Sequence, residues 1–129
     1  MDNPKDLMYT KQHEWIKVED GTGTVGITHF AQQMLTDIVF VELPQKGKTV
    51  EQFSQLCVLE SVKSVSDVFA PVSGEVIEVN TVLSDAPEKI NSSAFEEGWI
   101  AKIKLKDAKE LDNLMTAEQY TEYLKTAKH

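Results

Sequence analysis

Val58-Leu59-Glu60-Ser61-Val62-Lys63-Ser64-Val65-Ser66-Asp67-Val68-Phe69-Ala70-Pro71 holds two alternating apolar runs with one lysine between them. On the first run Cys57, Leu59 and Ser61 fall on one side of a strand, and Val58, Glu60 and Val62 on the other. On the second, Val65, Asp67 and Phe69 alternate with Ser66, Val68 and Ala70. The pattern predicts a hairpin near 56–70, turned near 62–65, with Lys63 at its tip in water. The tip is small and polar (Ser61, Ser64, Ser66), and Glu60 lies three residues upstream, where a modifying enzyme can read it. These residues point to an attachment site without saying what is attached. Against this stands the plainer reading of a lysine that merely solvates a turn.

Short strands continue in both directions. Residues 7–10 and 15–18 have β character, Asp20-Gly21-Thr22-Gly23 reads as a turn, and 24–27 as the return strand. Thr28 is the expected N-cap of a short helix near 28–35. Residues 38–43 form a β-branched run ended by Pro44 and Gly47. Beyond the hairpin, residues 70–74 turn the chain into an alternating strand at 75–80, and 99–105 reads as the last strand. The segment near 107–127 changes character. Asp107 with Glu110, and Thr116 with Gln119, have capping-box spacing, and Leu111, Leu114, Met115, Tyr120, Tyr123 and Leu124 recur at helical intervals. The expected fold is mainly β with added helices outside, a sandwich of small sheets in one domain over 1–129.

The 129 residues carry a net charge of −8, with 41% hydrophobic and 26% charged residues. An acidic surface argues against nucleic acid and against an anionic membrane, and suits partners with basic docking patches. The single cysteine, Cys57, excludes an internal disulfide and reads as a small buried hydrophobe. The N-terminus has no signal-peptide core, and no apolar run approaches membrane-spanning length. A reducing compartment is expected, so the glycosylation sequon Asn91-Ser92-Ser93 should be inert.

Other chemistry finds little support. Gly21-Thr22-Gly23-Thr24-Val25-Gly26 is a literal G-x-G-x-x-G, but a dinucleotide site needs a helix opening inside the motif, and here a strand returns. His13, His29 and His129 fit no zinc spacing, so no metal site is expected. No nucleophile elbow gathers a Ser-His-Asp set, and no pair of carboxylates stands out as an acid and base. No catalytic residue is assigned.

Glu60-Ser61-Val62-Lys63-Ser64 resembles the lipoylation motif of the glycine cleavage system H-protein family, and the likeness runs nearly end to end. Residues 9–15 (Tyr9-Thr10-Lys11-Gln12-His13-Glu14-Trp15), 25–28, 37–44, 66–76, 78–80 and Gly98-Trp99 all resemble the family's segments. The resemblance implies a lipoyl/biotinyl-carrier sandwich (a barrel-sandwich hybrid) with lipoate joined covalently to Lys63. Glu60, Ser61, Val62 and Ser64 would serve recognition by a lipoate ligase or lipoyltransferase. It implies a non-catalytic carrier that takes an aminomethyl group from pyridoxal-dependent glycine decarboxylase to aminomethyltransferase and reducing equivalents to dihydrolipoyl dehydrogenase. The location would be cytoplasmic, or the mitochondrial matrix for a processed eukaryotic form. A surface cleft would shelter the loaded arm, with Glu14, and less directly Asp67, facing its amine.

Some residues depart from the family pattern. Ser64 stands where many members have alanine, and Thr36 where a glycine is usual, which predicts a different end to the helix. Gln12 and Met34 fall where polar cleft residues are expected, and Met34 makes that wall more apolar. Alternatives remain: a relay handing lipoate to 2-oxoacid dehydrogenase complexes, a biotin carrier (disfavoured, since Val62 and Ser64 rather than methionines flank Lys63), or an unmodified interaction module.

Overall fold

The computed structural model describes residues 3–126. His129 and residue 127 of the expected C-terminal segment lie outside them. Two antiparallel sheets face each other. The larger runs β1 (Met8–Tyr9), β2 (Glu14–Glu19), β3 (Thr22–Ile27), β9 (Ala101–Leu105), β8 (Gly74–Val79) and β5 (Thr49–Val50). The smaller runs β4 (Ile38–Glu42), β6 (Gln55–Ser61) and β7 (Val65–Phe69). Alternation drives the packing. Ile16, Val25, Ile103 and Val76 from one sheet meet Val41, Cys57, Leu59 and Val68 from the other, all buried. This is the expected sandwich with helices added outside.

The glycine-rich segment is a hairpin. Asp20 and Gly21 both have positive φ, 50° and 77°, the conformation that lets a two-residue turn match the twist of its strands. β3 already begins at Thr22, so Gly23 belongs to the strand rather than to the turn. A Cβ there would lie 2.4 Å from Ile16 Cδ1. No helix opens inside the motif, and Thr28 caps α1 (His29–Leu35) as expected, its hydroxyl accepting from Ala31 N–H at 3.2 Å.

Two one-turn helices, α2 (Val82–Asp85) and α3 (Lys89–Ser92), join β8 to β9. The sequence reading had not placed them. A 3₁₀ helix (Ala108–Asn113) and α4 (Ala117–Thr126) follow. One of the two expected capping boxes is complete: Thr116 N–H donates to Gln119 Oε1 and Gln119 N–H to Thr116 Oγ1. In the other, Asp107 caps the 3₁₀ helix, but Glu110 turns away to accept from Ser73 N–H and Oγ–H at 2.8 and 2.6 Å. α4 covers a second apolar cluster of Leu7, Tyr9, Trp15, Ala117 and Tyr120. No described helix is long and apolar enough to cross a membrane.

Candidate functional site

The β6–β7 hairpin turns at 62–64, where the alternation placed it, and Lys63 is exposed at the tip. Ser61 sets the tip's shape. Its Oγ accepts from Lys63 N–H (3.1 Å) and Ser64 N–H (3.0 Å) and donates to Ser64 O (3.2 Å), while its own N–H donates to Ser64 O at 2.8 Å. The Ser61 hydroxyl is thus engaged by the hairpin itself. Val62 N–H donates to Asp37 O at 3.0 Å, which ties the tip to the start of β4. The tip is therefore held from its base and from its side, while the lysine side chain reaches out.

Lys63 takes part in no salt bridge among the described residues. Its Nζ lies 3.5 Å from Met34 O, at the C-terminal end of α1. Met34 also lines a small cleft of about 110 Å³ between loop 12–14, α1 and β7. The amine therefore stands at the mouth of that cleft. Gln12, His13, Glu14 and Asp67 line it with Ala31 and Leu35, so the structure brings together the residues that the resemblance placed around a loaded arm. A larger hollow of about 360 Å³ also borders Gln12 but is lined by Tyr9, Phe53, Phe69 and Met115, with no carboxylate.

Glu14 is 1% exposed. One carboxyl oxygen accepts from the Thr10 hydroxyl and the other from Phe69 N–H at 3.1 Å. Burial pushes its pKa up to about 7, against the opposing pull of hydrogen bonds from Thr10, Phe69 and its own backbone. A carboxyl held this way ionises readily when a cation arrives and is costly to leave charged when none does. Asp67 differs. It is exposed, and its Oδ1 accepts from Gln55 Nε2 at 2.8 Å. Glu60 is half-buried on the outer face of the small sheet, in the cross-strand row Phe40–Glu60–Val65. Val62 and Ser64 are exposed.

α1 does not end in the left-handed cap that a glycine usually supplies. Thr36 takes φ 62°, ψ −148°, and its N–H donates to Gln32 O at 2.9 Å. The chain turns here at positive φ, and Thr36 bears the strain. Asn91, read from sequence as an inert sequon, is what secures this corner. Its Nδ2 donates to Gln32 Oε1 (3.0 Å) and Thr36 O (2.8 Å), and its Oδ1 accepts from Ile38 N–H (2.9 Å). Only the spacing of residues far apart in the chain could have revealed it, and spacing alone does not. His13 was also missed as a wall residue, and Thr10 as the partner of Glu14, because both sit in a loop where no periodicity operates. Cys57 is buried as expected, its thiol pKa pushed up to about 12 by burial. No group of three or more metal-ligating side chains occurs among the described residues.

Comparison with known proteins agrees with this fold. The family model described as "Glycine cleavage H-protein" matches residues 7–127. A glycine cleavage system H protein of Bacillus velezensis is 52% identical over 122 residues, covering 95% of this chain and 96% of that protein. A probable glycine cleavage system H protein of Pyrococcus furiosus is 61% identical, covering 93% and 90%. A crystal structure of a glycine cleavage system H protein from Mycobacterium marinum superposes with a TM-score of 0.88 at 38% identity, covering 95% of this chain and 99% of that one.

Proposed function

The chain belongs to the glycine cleavage H-protein family, and on that premise we propose that Lys63 carries the lipoyl group and that Glu14 and Asp67 receive the loaded arm. The family role itself follows from membership. The protein is a carrier and not an enzyme, bearing covalent lipoate on a lysine. It moves an aminomethyl group from glycine decarboxylase to aminomethyltransferase and reducing equivalents to dihydrolipoyl dehydrogenase. When attached, the lipoyl group supplies a redox-active dithiol at the end of a long tether.

What this chain's residues contribute can be argued from their placement. The carrying observation is an exposed amine at the mouth of a cleft whose floor is a buried carboxyl. Acylation of Lys63 Nζ removes its charge, and the fixed hairpin keeps the tether anchored, so the cargo stays at high effective concentration between sites. Glu14 offers a carboxylate to a cationic cargo in a place where burial strengthens the attraction. Ala31, Met34 and Leu35 keep water from that end. Glu60, Val62 and Ser64 stand exposed or half-exposed beside the amine for a lipoate ligase or lipoyltransferase to read, and Ser61 gives them their shape. We read residues 1–129 as a single carrier domain acting in the cytoplasm, or in the mitochondrial matrix for a processed eukaryotic form.

The test uses glycine–bicarbonate exchange catalysed by the decarboxylase, with wild type and Lys63→Arg each exposed to lipoate and a competent ligase. The variant should support no exchange above background. Exchange at the wild-type rate would overturn the assignment of Lys63. The role of Glu14 is tested separately: Glu14→Ala should shorten the lifetime of the aminomethyl-loaded form, and an unchanged lifetime would remove it.

A further inference from the structure

The cleft beside Lys63 has two polar-anchored walls, and a side chain outside the cleft joins them. Tyr120, on α4, is 0% exposed. Its hydroxyl lies 2.8 Å from His13 Nδ1, on the loop wall, and 2.8 Å from Thr28 Oγ1, which caps the helix wall. A phenol is donor and acceptor at once, so one oxygen serves both walls. Its ring stacks flat on Tyr9, centroids 4.7 Å apart and planes 3° apart, which fixes where that oxygen sits. The loop wall needs such a hold, because His13 has φ 73°, an unfavourable conformation for a side-chain-bearing residue. The walls also meet through the backbone bond from Thr28 N–H to His13 O at 3.0 Å and through the His13 ring, which packs on Phe30 of α1 with centroids 4.8 Å apart. Glu14 follows His13 directly, as the first residue of β2.

We propose that the Tyr120 hydroxyl is a positioning group that sets the width of the arm cleft by bracing loop 10–14 against α1. This rests on the reading that the loaded arm docks in that cleft. It gives the C-terminal helix a part in cargo protection although α4 does not line the cleft. It also makes a specific distinction. The hairpin that presents Lys63 is held by Ser61 and Asp37, not by Tyr120, so acylation of the lysine should not depend on the brace.

The test compares lipoylated wild type, Tyr120→Phe and Thr28→Val, with Ile103→Val as a core-weakened control away from the cleft. Tyr120→Phe keeps the ring stack and removes only the oxygen. Thr28→Val removes the other hydroxyl and serves should the first variant not fold. Half-lives of the aminomethyl-loaded forms are measured in buffer and in denaturant. Amide hydrogen exchange of Phe69, whose N–H donates to Glu14, is measured on the unmodified proteins. The brace predicts half-lives shortened about fivefold toward the denatured value, the equivalent of one net hydrogen bond. It also predicts faster Phe69 exchange, an unchanged rate of lipoylation at Lys63, and no such changes in Ile103→Val. A wild-type half-life in Tyr120→Phe overturns the brace while leaving the docking reading intact. Equal shortening in Ile103→Val also overturns it, because the effect would then be general loosening. Should wild-type protein protect its cargo no better folded than denatured, the docking reading falls and the brace with it.

Discussion

Glu14 is surrounded by donors yet cut off from water, and these two facts set its response to pH. Its folded pKa of about 7 lies above the ordinary carboxylate value of 4.5. The folded state therefore binds the proton more tightly than the unfolded state does. That contribution is fully present below about pH 4.5 and is lost as pH rises through about 7. Over the whole interval it amounts to about 3 kcal/mol. Glu14→Gln, which cannot ionise, should therefore be more stable than wild type at pH 8 by about 2–3 kcal/mol, with the gap closing toward pH 4. Urea midpoints across pH measure this, and a gap independent of pH would contradict the burial argument. Little of this was legible in the sequence. The resemblance placed Glu14 at the cleft, but its burial depends on Thr10 and on Phe69, 55 residues away. Lys63 was legible without help, because alternation on both sides of a short polar turn leaves one side chain with nowhere to go but solvent.

At the scale of elements, the α1–β4 corner shows what the sequence hides. A threonine after a helix predicts a changed cap, and the cap is not the left-handed one; Asn91 on α3 holds the corner at a positive φ that glycine would favour. Local preference is overridden by three hydrogen bonds from a distant helix. Thr36→Gly should therefore raise stability by about 1 kcal/mol, since strain relieved exceeds the entropy glycine adds to the unfolded chain. Asn91→Ala should lower it by about 2 kcal/mol through loss of those partners. Urea titrations would reveal both. A destabilised Thr36→Gly would show that the corner is not strained. The strands were legible, apart from ends displaced by a residue or two, because a period of two survives in each run; β5 was the exception, since Thr49 and Val50 alone carry no alternation. The one-turn helices α2 and α3 were not, since four residues are too few for a 3.6-residue period to register.

For the whole molecule, β2, β3, β6, β7 and α1 meet at one small region, where the hairpin tip offers an amine beside a cleft. The net charge of −8 suits encounter with partners that present basic patches. Raising salt from about 50 to about 500 mM should therefore raise the KM of dihydrolipoyl dehydrogenase for the lipoylated protein, leaving its KM for free lipoamide unchanged. An unmoved KM for the carrier would mean that charge does not guide that encounter. The account as a whole depends on which atom bears the lipoyl group. The most direct measurement is peptide mapping by mass spectrometry of the protein isolated from a lipoate-fed host with a competent ligase. A single lipoyl mass increment on the peptide containing Lys63, absent in Lys63→Arg, is the predicted result. An unmodified Lys63, or an increment on another lysine, would contradict it.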